Sequence, residues 1–177
     1  MKLEIGGERV DSSLGKDWKI MDIIPGDRVD IVHDLHILPL PLEDNSCEVI
    51  YMSHVLEHIL WTKTAPVLKE LHRATAKGGA LEIWVPDLEK LAKAYLDNSL
   101  IANDGWYKAN PDHDPTRWFN GRLFTYGPGE ENLHRAAFDY RYLSKLLIQV
   151  GFSKTEHMTN PRGYDHGWIN LGVKAIK

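Results

Sequence analysis

Val49-Ile50-Tyr51-Met52-Ser53-His54-Val55-Leu56-Glu57-His58 is the stretch whose reading decides the fold. Its first four residues are an apolar, strand-favouring run, and the polar or titratable Ser53, His54, Glu57 and His58 follow at once. A buried strand that ends in such side chains predicts an open α/β sheet, because those sheets bind ligands in the crevice at the carboxyl ends of their strands. The same letters also spell His-x-x-Glu-His, a zinc-protease signature. That alternative needs the motif inside a long helix, with His54 and His58 sharing the metal and Glu57 as general base. A strand directly before the motif, and Thr62 and Thr64 as caps of a separate helix just beyond it, weigh against this, and no metal is assigned.

Working outward, strand-like and helix-like segments alternate. Short strands are predicted at 3–5, running into Gly6-Gly7, at 18–24, closed by Pro25-Gly26-Asp27, and at 29–32, ending in His33-Asp34-Leu35. The fourth strand is 47–52. A helix is expected within 64–77, with Val67, Leu68, Leu71 and Ala74 on one face and Gly78-Gly79 as its stop, followed by a fifth strand at 80–85. Asp87 is placed to cap a helix carrying Leu88, Leu91, Ala92 and Tyr95 at helical spacing and ending near Asn98, and Asp139 to cap another with Tyr140, Leu143, Leu146, Leu147 and Val150 as its apolar face. Gly151 ends that helix, and strands around 152–157 and 168–176 pair as a terminal hairpin. The expected architecture is a three-layer, Rossmann-like α/β sandwich around a mostly parallel seven-stranded sheet with an antiparallel last strand.

One segment breaks the alternation. Residues 99–137 carry Trp106, Tyr107, Trp118, Phe119 and Tyr126 among Pro, Gly and Asn, and connections of that length in a compact domain are usually lids or binding loops. The aromatic residues read equally as packed lid core and as a substrate wall. The chain is therefore read as a single domain, 1–177, with a lid or substrate cap at about 99–137.

Composition narrows the function classes. With 177 residues, 43% apolar and 26% charged, the chain is ordinary for a globular domain able to bury its own core. A formal charge of −4 with no basic cluster disfavours nucleic acid as the main partner. No run is apolar and long enough to span a membrane, and the N-terminus lacks a signal-peptide pattern, so a cytoplasmic location is expected. Cys47, the one cysteine, falls in a strand pattern and is expected to be a buried, inert thiol.

The series Leu3-Glu4-Ile5-Gly6-Gly7, Asp22, Val32-His33-Asp34-Leu35, Ser53 to His58, Lys69-Glu70-Leu71 through Lys77-Gly78-Gly79, and Ala137-Phe138-Asp139 through Val150-Gly151-Phe152 resembles the class I S-adenosylmethionine-dependent methyltransferases. The likeness is greatest to small methyltransferase-domain proteins of the type 11 kind with an "hvLEHi" segment. The resemblance implies that S-adenosyl-L-methionine is the cofactor. Glu4, Gly6 and Gly7 then lie at its methionine end, Asp22 against the ribose hydroxyls, Asp34 and the backbone of Leu35 at the adenine, and Ser53 beside the sulfonium. Taken singly, each of these acids is equally a helix cap or turn residue; three at successive strand ends point to a site.

Methyl transfer to a hydroxyl needs a base, and His54, His58 and His134 are the candidates because histidine titrates near neutrality. Arg122 and Arg135 are placed either to bind an anionic acceptor group or to pair with Glu130 and Glu131. A small-molecule or glycan acceptor is favoured by the acidic balance. The family's loop normally continues Gly-x-Gly-x-Gly, whereas this chain runs Gly6-Gly7-Glu8-Arg9-Val10, which leaves open a non-catalytic binding or assembly protein on the same fold. The chain also starts almost at its first strand, so either the middle segment covers the site or the site is open.

Overall fold

Seven strands join in one sheet in the computed structural model, which describes residues 1–7, 14–97, 101–125 and 129–177. They are β1 (Lys2–Ile5), β2 (Trp18–Asp22), β3 (Ile31–Val32), β4 (Cys47–Ser53), β5 (Thr75–Pro86), β6 (Lys154–Met158) and β7 (Asn170–Ile176). Their order is β3-β2-β1-β4-β5-β7-β6. β1 to β5 pair in parallel, and β7 runs antiparallel to both β5 and β6. The expected Rossmann-like α/β fold with an antiparallel final strand is the one observed. Glu8 and Val10, on which the altered glycine loop rests, lie outside the described residues, as do Asn98 and Tyr126.

Central strands are buried on both sides, apolar throughout on one face and carrying buried acids on the other. In register across β1, β4 and β5, Leu3, Ile50 and Leu81 form one row and Ile5, Met52 and Ile83 another. Helices α1 (Thr64–Ala74) and α5 (Tyr140–Val150) pack against each other over these rows, with Val67, Leu68, Leu71, Leu143 and Leu147 buried. Alternate residues Glu4, Tyr51 and Glu82 form a row on the opposite face. That row is closed by Arg162, which donates to Glu82 from Nε (2.5 Å) and Nη2 (2.9 Å) and lies 5.7 Å from the Trp18 ring centroid.

α1 stops earlier than expected, and not at the glycines. Its last turn ends at Ala74, where Thr75 becomes extended and its hydroxyl donates to the Leu71 carbonyl at 2.7 Å. β5 therefore begins at Thr75, five residues before its predicted start. Gly79 serves the strand edge instead: a Cβ there would lie 2.7 Å from the Glu48 carbonyl oxygen.

Asp87 caps α2 (Leu88–Leu96) as predicted, accepting from the backbone N–H of Glu89 and Lys90. The buried face of α2 is Leu91 and Ala94, whereas Tyr95 is exposed and Ala92 only half-buried. The middle segment folds into α3 (Gly105–Ala109) and α4 (Pro115–Phe124). Trp118 is wholly buried with Leu91, Ala94, Ile101 and Ile169, its ring stacked on Trp168 at 6.3 Å. Packing, rather than a substrate wall, is what Trp118 does. No helix among the described residues is long and apolar enough to cross a membrane.

Candidate active site

The strand order reverses between β1 and β4, and that switch point is where open α/β sheets leave a crevice. A cavity of about 350 Å³ opens there, within the range of small-ligand sites. Its floor is the ends of β1 and β2, with Ile5, Gly6, Met21 and Asp22. Asp34 and Leu35, after β3, line one side. Ser53, His54 and His58, after β4, line the other, with His166 beside them. Glu130, Asn132 and Arg135 reach the rim from the end of the middle segment.

Gly6 is held at φ +79°, and its N–H donates to the Met21 carbonyl at 2.9 Å. A side chain has no room there, because a Cβ would stand 2.4 Å from Val55 Cγ2. Asp22 accepts from the Ile24 N–H at 2.9 Å, so it braces the turn as well as lining the cavity. Asp34 accepts from both the backbone N–H and the ring of His36, each at 2.8 Å. Burial pushes the Asp34 carboxyl up, but these His36 bonds outweigh it and leave it below the ordinary carboxylate range. Glu4 and Gly7 do not line the cavity: Glu4 is buried beneath Gly7, whose Cα carries no Cβ because one would sit 2.6 Å from Glu4 Cδ.

His-x-x-Glu-His adopts no long helix. His54 is in the left-handed region at φ +53°, a costly conformation for a non-glycine residue, and Leu56–His58 makes a single 3-10 turn. The zinc-protease geometry is thereby lost. His54 instead points Nδ1 at Glu57 Oε1 (3.2 Å) and Nε2 at Asn170 Oδ1 (2.9 Å). The Asn170 amide nitrogen donates to Asp165 at 2.9 Å, which fixes its oxygen toward His54. Both ring nitrogens of His54 thus face acceptors, an arrangement suited to the imidazolium. Burial works against that charge, but Glu57 and the bond to Asn170 prevail and raise the His54 pKa. Glu57 is buried, which on its own disfavours its charge, yet His54, His58 and His134 around it hold its pKa down.

Of the three predicted bases, His54 and His58 reach the cavity. His134 does not line it; it meets His58 edge-on at 5.0 Å, behind Glu57. Backbone bonds fix this geometry: the Glu57 carbonyl accepts from the N–H groups of Arg135 (2.7 Å) and Ala136 (3.0 Å). Arg122 pairs with Asp104 at 2.7 Å rather than with Glu130, and Arg135 Nη2 donates to the Glu130 carbonyl at 3.2 Å.

His166 escaped the sequence reading, its only signal being a titratable pair, Asp165-His166, in a glycine-bounded loop. It stacks on His54 with ring centroids 3.8 Å apart. Burial, then the neighbouring His54, push its pKa down to about 4 from an ordinary 6.5. The unfolded chain therefore binds a proton at His166 before the folded one does. Its contribution to stability is full above about pH 6.5 and lost as pH falls toward 4. His54, with its pKa raised, acts in the opposite sense, contributing fully below pH 6.5 and less as pH rises through its folded value. His166→Gln is expected to flatten the decline of melting temperature between pH 6.5 and 4; an unchanged slope in thermal melts would contradict this.

Residues 23–83, from the end of β2 through most of β5, match a family model described as "Methyltransferase domain". That match covers about a third of the chain, and the strand order and switch-point cavity around it are those of the fold that S-adenosylmethionine-dependent methyltransferases share. Comparison with curated proteins found no match in sequence. Among solved structures, an S-adenosylmethionine-dependent methyltransferase from Archaeoglobus fulgidus is similar at a TM-score of 0.58 and 14% identity, over 99% of this chain and 85% of that one. A possible histamine N-methyltransferase from Thermotoga maritima gives 0.56 and 16%, over 99% and 81%. Human N-acetylserotonin methyltransferase, in complex with S-adenosylmethionine, gives 0.56 and 14%, over 99% of this chain but 47% of that one. The chain thus spans about half the length of some neighbours and most of others.

Proposed function

We propose that this chain uses S-adenosylmethionine to methylate a small-molecule or saccharide-like acceptor. The observation that carries the proposal is one cavity, at the switch point of the sheet, with Gly6, Asp22 and Asp34 on its cofactor side and His54, His58 and His166 facing them. In that assignment Asp22 accepts hydrogen bonds from the ribose hydroxyls, Asp34 and the Leu35 backbone meet the adenine, and Gly6 and Ser53 border the methionine end. The cofactor supplies a methyl group on a sulfonium. Glu4 and Gly7 support the Gly6 turn from beneath. The rim residues Glu130, Asn132 and Arg135 give the middle segment its covering role.

On the acceptor side the chain's own groups divide by their partners. His54, with its pKa raised, has both ring nitrogens held by Glu57 and Asn170 and serves to position the cavity wall. His58 and the neutral His166 are the imidazoles facing the cavity, placed to take a hydroxyl or amine proton, and His134 stands behind them.

Adding the cofactor or its demethylated product at millimolar concentration should raise the melting temperature, since a ligand at about 100 times its Kd stabilises by about 2.7 kcal/mol. No shift in the folded protein would sink the proposal. Binding without turnover on any oxygen or nitrogen acceptor would instead favour the non-catalytic reading. Asp22→Asn keeps the turn-bracing oxygen but removes the charge, and is expected to weaken cofactor binding about tenfold or more, a charge-assisted hydrogen bond being worth about 1.5–3 kcal/mol. Calorimetric titration giving equal affinities would remove Asp22 from the cofactor site.

A further inference from the structure

We infer that Glu57, His58 and His134 form a binding site for one divalent first-row transition-metal ion. A carboxylate oxygen and one nitrogen from each imidazole lie within 4.8 Å of one another. Around an ion with bonds of about 2.0–2.1 Å, tetrahedral donors stand roughly 3.4 Å apart, so small side-chain rotations close the set. Two imidazoles on one such ion have ring centroids roughly 5 Å apart, and those of His58 and His134 are 5.0 Å apart.

Three further observations single out this cluster. Glu57 is 1% exposed, and among the described residues neither of its oxygens has a well-aligned hydrogen bond, although His54 Nδ1 lies at 3.2 Å. A buried carboxylate with so few well-aligned bonds is costly, and an ion shared with the two imidazoles would supply bonds that His54 alone does not. One imidazole also turns an edge to a backbone group: His58 Nδ1 lies 3.3 Å from the Leu133 carbonyl. Holding one ring nitrogen on a carbonyl directs the other as a lone pair, which is how metal-bound histidines are oriented. Finally, Glu57 and His134, though not His58, border a void of about 10 Å³, room for one water beside the cluster.

Two nitrogens and one oxygen select a transition ion over magnesium or calcium, which favour all-oxygen shells. Three protein ligands leave a fourth position for water, and one of the three, His58, also lines the main cavity. Arg122 also borders the void, but its guanidinium is paired with Asp104, so its charge is balanced before an ion arrives. With His58 engaged, His166 is left as the neutral imidazole facing the acceptor.

The protein, stripped by a chelator, should bind one equivalent of zinc by calorimetry and one equivalent of cobalt(II) with visible absorption bands. Glu57→Gln and His134→Gln, each checked for folding by circular dichroism, should each lower zinc affinity by about 100-fold. Substoichiometric binding overturns the inference and leaves the void to a water between Glu57 and Arg122. One equivalent bound with unchanged affinity in the folded variants overturns it too. Neither readout needs cofactor or acceptor, so the inference can fail while the methyl-transfer proposal stands.

Discussion

Gly6→Ala is expected to lower affinity for the cofactor's demethylated product by about 100-fold while most of the sheet stays folded. Two costs fall on one atom. At φ +79° an alanine gives up roughly 1–2 kcal/mol relative to glycine. Its Cβ would also stand 2.4 Å from Val55 Cγ2, and overpacking of that kind costs typically about 1–3 kcal/mol. The turn escapes both by rotating out of the left-handed region, which moves its backbone away from the cavity floor. With about 1.4 kcal/mol per factor of ten, a displacement worth 3 kcal/mol is about 100-fold in affinity. The pair Gly6→Ala with Val55→Ala removes the clash and keeps the strained φ, so it should recover about half of the lost free energy. Isothermal titration decides: affinity of Gly6→Ala within threefold of the parent would mean that this turn is not where the cofactor is held.

The sheet was legible because its central strands are buried on both faces and read as mostly apolar runs, interrupted by the inward acids Glu4 and Glu82. Asp22, Asp34, Ser53, His54 and His58 could be placed on one cavity for the same reason: each follows a parallel strand, and parallel strands put their carboxyl ends together. What could not be read was set by partners distant in the chain. His54 finds its second acceptor in Asn170 and its stacking partner in His166, more than a hundred residues away, and no local pattern announces either. His134 belongs behind Glu57 rather than on the cavity wall because Arg135 and Ala136 bond to the Glu57 carbonyl. The end of α1 was misplaced because Gly78-Gly79 is the stronger local stop signal, while the Thr75 hydroxyl that closes the last turn is unremarkable in sequence. The aromatic residues of the middle segment were ambiguous for a related reason, since the stack of Trp118 on Trp168 spans fifty residues.

Asp104→Ala is expected to be the most destabilising single change in that segment, by about 3–5 kcal/mol, the cost of removing one partner from a buried ion pair. Asp104 is 6% exposed and takes hydrogen bonds from Trp118 Nε1 (3.0 Å), Arg122 Nη2 (2.7 Å) and Trp168 Nε1 (3.2 Å). It also caps α3 through the N–H groups of Trp106 and Tyr107. Alanine leaves a mostly buried guanidinium and two indole donors without their acceptor and uncaps the helix. At roughly 2–4 °C per kcal/mol for a chain of this size, the melting temperature should fall by roughly 6–20 °C. Burial pushes the Asp104 carboxyl up, but Arg122 and the Trp118 bond hold it below the ordinary range. A depressed carboxyl contributes its stability above its unfolded pKa and loses it as pH falls through the folded value. The deficit of Asp104→Ala should therefore be full at pH 7 and shrink on acidification below about pH 4. Asp104→Asn, which keeps the cap and an indole acceptor but not the charge, should lie between the two. Melts that coincide within 2 °C at pH 7 would show that the helices of the middle segment are held by Trp118 and its apolar neighbours alone.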